Sequence, residues 1–278
     1  MRTNPVYIYF MIVNEDALKH WMINFYGYGS WKAPIWFVGL EEQGGDLPED
    51  VAERINYFQG TSSIKELADI RELYSRIKFR AEGPRGARYN NNYDYRFGER
   101  GVLHGAWKNL IAFAHAFNSE LQPDLFEYQQ RTFLSPSLQR EALLNLYPLP
   151  TPHNHAWYYA WLNMPGLPFL KTRDAYRQHF YESRITRLLR NLTTYTPSVV
   201  LMYGMDNVNA LKQSVLQFFP NVKFTMEKGI ARVIPAHHRT KVEGTTLIIT
   251  THVPALRHNR IETGFDWEQF GKRIRGTV

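Results

Sequence analysis

Short apolar runs alternate with amphipathic stretches along most of the chain. Ile35 to Val38 ("IWFV") are β-branched or aromatic without interruption, the pattern of a strand buried on both faces, and Gly39 punctuates it. "EALLNLYPLP" (141–150), "PSVVLMYG" (197–204) and "TTLIITTHVPALRHNR" (245–260) supply three more strands, the last running into a loop at His252. Between them, "PEDVAERINYFQG" (48–60), "IKELADIRELYSRI" (64–77), "GVLHGAWKNLIAFAHAF" (101–117), "AYRQHFYESRITRLLRNL" (175–192) and "DNVNALKQSVLQFF" (206–219) carry helical spacing. Pro48 is placed to start the first helix, Gly60 to stop it, and Asp206 to cap the last. Strands alternating with helices predict one α/β domain over 1–278: three layers, α/β/α, around a mainly parallel four-stranded sheet.

Two stretches depart from this alternation. Residues 76–100 lose periodicity and read as a long surface loop, with seven Lys/Arg against three Asp/Glu interleaved with aromatics, so Arg85 and Arg88 become candidate DNA contacts. "TPHNHAWYYAWLNMPGLPFLK" (151–171) reads as an aromatic insertion. The opening "VYIYFMIV" is too short to span a membrane and has no cleavage pattern after it, so it reads as an initial strand or core segment of a cytoplasmic protein.

Composition narrows the chemistry. With 44% hydrophobic and 15% aromatic residues in 278, there is material for a large core. A net charge of +7 suits a polyanionic partner such as nucleic acid. The absence of cysteine excludes disulfides, thiolate metal sites, cysteine nucleophiles and iron–sulfur clusters. Histidines at 153 and 155 and at 237 and 238 lack carboxylates at ligand spacing, so neither a metal nor another cofactor is expected.

In parallel sheets the ligand lies beyond the carboxyl ends of the strands. Three predicted strand ends carry polar groups: Glu41 and Glu42 after the first, Asn145 in the second, His252 after the fourth. Such a set suits cleavage of a base–sugar bond, in which a carboxylate supports an oxocarbenium-like sugar, an imidazole stabilises the departing base and a carboxamide pairs with a pyrimidine edge.

These motifs, in this order, resemble the uracil-DNA glycosylase superfamily. "VGLEEQGG" is similar to its first motif, with Gly39 as the glycine and Glu41 in the acid position. "ALLNLYP" matches its base-reading asparagine through Asn145, and "THVPALRHNR" its last motif through His252, Pro254 and Ala255. The resemblance implies a metal-independent, monofunctional DNA glycosylase that flips its target and leaves an abasic site. In that reading Glu41 and His252 are catalytic, Gly39, Gln43 and Asn145 contact the base, and Arg257 and Arg260 hold phosphates. Glu42 replaces the usual proline, Val253 precedes Pro254, and the usual serine is missing. Gln43 stands where uracil-specific members carry a tyrosine that blocks substituents at C5, which favours a C5-modified or hypermodified base, as in phage DNA, over plain uracil. DNA is the expected partner, with neither membrane nor obligate protein partner. Two other classes fit the same residues: a non-catalytic nucleic-acid-binding protein of this fold, and a hydrolase of free nucleosides or nucleotides.

Overall fold

The computed structural model describes residues 13–45, 48–59, 67–79, 88–151, 156–231, 233–254 and 264–276. The four apolar runs form β2 (Ile35–Gly39), β3 (Glu141–Asn145), β4 (Val199–Met202) and β7 (Thr245–Ile249), every residue of which is buried. They lie side by side in the order β3-β2-β4-β7, all parallel. Among the described residues the sheet has seven strands rather than the four expected. β1 (Gly27–Tyr28) pairs antiparallel with β3, and β6 (His237–Val242) and β5 (Thr225–Glu227) extend the other edge, also antiparallel. β5 and β6 face solvent in part, which is why their sequences are polar.

Helices cover both faces, because alternate strand residues point opposite ways. Phe37 meets Phe113 of the helix Gly105–Phe117, with ring centroids 6.0 Å apart, and Phe113 in turn packs on Phe270 of the C-terminal helix Trp267–Arg275. Its neighbour Trp36 turns to the other face, toward Trp31 and Tyr195 of the helix Arg173–Tyr195. Burying each such ring contributes roughly 1.5–3 kcal/mol over leaving it in water.

In chain order the helices are α1 (Glu15–Asn24), α2 (Pro48–Gln59), α3 (Ile70–Arg76), α4 (Asn92–Phe97), α5 (Gly105–Phe117), α6 (Leu125–Arg131), α7 (Arg173–Tyr195), α8 (Val208–Phe218) and α9 (Trp267–Arg275). Three local expectations change. The 76–100 stretch is not wholly loop: Asn91 caps α4, and Phe97 is buried. α3 begins later than its sequence pattern, at a cap made by Asp69. Asn207, not Asp206, caps α8 through its side chain; Asp206 instead pairs with Arg177. The aromatic insertion packs two 3-10 turns, Tyr158–Leu162 and Pro168–Lys171, with Tyr159, Leu162 and Leu170 buried. Residues 6–12 of the opening segment and His153 and His155 lie outside the described residues. Among the described residues no helix is long and apolar enough to cross a membrane.

Candidate active site

The chain leaves β2 toward β3 on one side and β4 toward β7 on the other, which opens a crevice beyond their carboxyl ends. A cavity of about 460 Å³ occupies it, lined by the 39–43 loop, Asn145, Thr151, Tyr203 and Gly204, and by side chains from α3, α5 and α7. That volume is in the range of small-molecule sites. The 39–44 loop is laced to the chain after β3: Leu146 N–H donates to the Gly39 carbonyl, Thr151 N–H to that of Glu42 and Gly44 N–H to that of Thr151. Gly44 and Gly45 turn the loop away with φ of 147° and 72°, a region open to glycine.

The two adjacent carboxylates face different partners. Glu41 accepts hydrogen bonds from Arg173, Thr151 and, at 2.7 Å, Arg177 Nε. Burial raises its carboxyl, but the hydrogen bonds from Arg173, Arg177 and Thr151 outweigh this and hold it below the usual carboxylate range. Glu42 accepts from Arg54 at 2.8 Å, from Tyr28 at 2.7 Å and from Tyr74 at 3.2 Å. One glutamate thus ties the loop to α7 and the other to α2, α3 and β1. Both carboxylates reach the cavity, and both are fully engaged.

Asn145 differs. Its backbone is held on two sides: its N–H donates to the Tyr26 carbonyl, and its own carbonyl accepts from Arg184. Arg184 is 1% exposed and donates also to the carbonyls of Leu146 and Phe25 while stacking 3.4 Å from the centre of the Tyr26 ring. Burial pushes this guanidinium down to about 10, so it stays charged with no carboxylate beside it. The Asn145 carboxamide, in contrast, lines the cavity with no hydrogen-bond partner among the described residues. A buried carboxamide of this kind offers a donor and an acceptor to a ligand.

The other expected residues divide. Gly39 and Gln43 line the cavity. His252 does not, although the next two residues, Val253 and Pro254, do; its ring packs on Phe265 at 4.5 Å, and burial lowers its pKa. Arg88 is exposed and is not part of the lining, while Arg85, Ala255, Arg257 and Arg260 lie outside the described residues. Of the 237–238 pair, His237 is buried, with Nδ1 2.9 Å from the Pro235 carbonyl oxygen, and no group of three His, Asp or Glu side chains among the described residues is placed to hold an ion.

Other lining residues carry no signal that the sequence alone makes plain. Arg173 and Arg177 lie one helical turn apart on α7, a spacing that puts both on one face toward Glu41. Tyr203 follows β4 and extends its hydroxyl beside Gly39, where a Cβ would come within 3.1 Å of it. His104, hidden in an amphipathic stretch, caps α5. Its position just before Gly105 was the available signal, since a polar side chain there can accept the first free N–H groups of a helix. Trp107 and Tyr74 complete an aromatic wall, stacked with centroids 6.4 Å apart.

No protein-family model, no curated protein and no solved structure matches this chain. The site therefore rests on its own geometry: a strand-end cavity with aromatic walls, a free carboxamide, an imidazole, a phenol and two arginine-bound carboxylates.

Proposed function

We propose that the protein is a DNA glycosylase of the uracil-DNA glycosylase-like kind, acting on a flipped, modified pyrimidine. The observation that carries this reading is the unpartnered Asn145 carboxamide inside an aromatic-walled cavity at the sheet's switch point. A pyrimidine presents a carbonyl and a ring or exocyclic nitrogen along one edge, which match the donor and acceptor of one amide. Tyr74 and Trp107 offer faces for stacking, and extrusion from the duplex is what brings a base to so recessed a position. Gln43 is exposed at the cavity, which leaves space on that side for a substituent at C5. Water replaces the base at C1′, giving free base and an abasic site, and in this reading Glu41, ionised at neutral pH, must exchange an arginine partner to face the cationic sugar. The basic balance of the chain suits DNA as partner.

The engagement of both Glu41 oxygens favours a second reading, a nucleic-acid binder of the same fold that cleaves nothing. Mass-spectrometric detection of bases released from DNAs containing uracil, 5-hydroxymethyluracil, 5-hydroxymethylcytosine and its glucosylated form separates the two. The glycosylase reading expects release of one base, lost in Asn145→Ala and Glu41→Gln. No release from any DNA, with salt-sensitive DNA binding retained in Glu41→Gln, would leave the binder.

A further inference from the structure

Arg173 and Arg177 carry more donors than Glu41 can use. Arg173 gives Nη2 to Glu41 and, at 2.9 Å, to the Thr151 hydroxyl, with Nε 3.4 Å from the other Glu41 oxygen. Arg177 gives Nε to Glu41 at 2.7 Å and Nη1 to Asp206 at 2.8 Å. Among the described residues Arg173 Nη1 and Arg177 Nη2 meet no acceptor, and both side chains line the cavity. The charges are as uneven as the bonds. Two guanidiniums face one buried carboxylate, Glu41 at 3% exposed, while the second acid, Asp206, is 57% exposed and screened by water. What remains is a positive, donor-rich stretch of cavity wall.

A phosphate fits this surplus. Its tetrahedral oxygens offer more lone pairs than a carboxylate, and forked guanidiniums take such groups two bonds at a time. Glu41 already presents two anionic oxygens to the same pair, as a bound phosphate would. It reaches them from a loop whose backbone is held by the chain after β3, so its carboxylate can leave by side-chain torsions alone. We infer that Arg173 and Arg177 form a phosphate-binding subsite of the cavity, with Glu41 as the internal anion that a ligand's phosphate displaces. That phosphate is a diester of a DNA strand or the monoester of a free nucleotide; the donors it meets are the same. No covalent bond changes in the exchange: arginine N–H groups pass from one oxyanion to another, and Glu41 stays ionised beside the ligand. The subsite stands on these donors, and only the use made of the released Glu41 rests on the glycosylase reading. There, the carboxylate is freed to face the sugar when a substrate is seated, and otherwise serves to hold the loop on α7.

Inorganic phosphate is the first probe, titrated at constant ionic strength against chloride. In ¹H–¹⁵N spectra of wild type it should move the Nε–H resonances of Arg173 and Arg177 and leave that of Arg184, which is buried on a backbone carbonyl, in place. By calorimetry Glu41→Gln should bind phosphate about tenfold more tightly than wild type, because the competing charge is gone, and Arg173→Met about tenfold more weakly. Unmoved Arg173 and Arg177 resonances overturn the inference even if neither variant folds, and so does a Glu41→Gln protein that binds phosphate no more tightly than wild type. Two further probes assign the source: deoxyuridine 5′-monophosphate, and a single-stranded oligonucleotide with one tetrahydrofuran abasic-site analogue. Displacement of phosphate by the oligonucleotide, lost when the linkages flanking the analogue are neutral methylphosphonates, supports the DNA strand. Displacement by the nucleotide alone keeps the subsite and overturns the glycosylase reading. Displacement by neither overturns the inference.

Discussion

Arg184 Nη2 donates to the carbonyl oxygen of Asn145 at 2.8 Å, so the residue whose carboxamide faces the cavity is fixed from behind by a buried cation on α7. Two further carbonyls, of Leu146 and Phe25, share the same guanidinium. A single side chain thereby fastens the end of β3 to the segment before β1.

Arg184→Met should therefore destabilise the protein by roughly 3 kcal/mol, because three buried carbonyls lose a charged donor while packing volume is largely kept. The shift in urea midpoint reads this. Ligand affinity at the cavity should fall as well, since Asn145 loses its anchor; unchanged affinity in the folded variant would separate the anchor from the site.

Glu41→Gln should cost about 2 kcal/mol at neutral pH by leaving Arg173 and Arg177 without their shared anion. The Glu41 carboxyl lies below its unfolded value, so its contribution is present above about pH 4.5 and is lost as pH falls through the lower folded value. Chemical denaturation from pH 7 to 3 should show the gap between wild type and variant closing on the acid side. A gap constant with pH would refute the ion-pair account.

Glu141 has the opposite sign. It starts β3 at the far end from the cavity, 1% exposed, hydrogen-bonded by Tyr128 at 2.6 Å with its second oxygen unpartnered. Burial raises its carboxyl to about 7. Stability conferred by the protonated form is complete below about pH 4.5 and is lost as pH rises through about 7. Glu141→Gln should match wild type near pH 4.5 and exceed it by about 1–3 kcal/mol at pH 8. Thermal melts at the two pH values decide it.

Gly39→Ala places a Cβ 3.1 Å from Tyr203 Oη, and the ring must yield by a few tenths of an ångström. The expected loss of stability is small, about 1 kcal/mol, but the displaced phenol alters the cavity, so probe affinity should drop more than the melting temperature suggests. Tyr203→Phe in the same background should restore part of it by removing the crowded oxygen.

How far the sequence reveals this arrangement depends on how much each element is buried. The runs at 35–38, 141–145, 199–202 and 245–249 are dry on both faces, and such strands must be apolar throughout, so they are readable. The "HHRTKV" of β6 is half wet, and β1 has two residues, so neither carries a pattern. At the site, Asn145 was legible because an amide ending an apolar strand is conspicuous. His104 was not, since its role comes from a cap and a stacked ring that only folding assembles. Glu41 was found, but its arginines come from 132 and 136 positions later in the chain.

That separation bears on the order of assembly. The cavity wall at Glu41 closes only when the loop after β2 meets the first turns of α7, a contact that costs the entropy of closing more than a hundred residues of chain. A growing polypeptide that has not yet delivered Arg173 to the ribosome exit holds Glu41 without either cation. The pocket is therefore among the last parts of the molecule to acquire its final charge, and the site comes into being only after most of the chain has been synthesised.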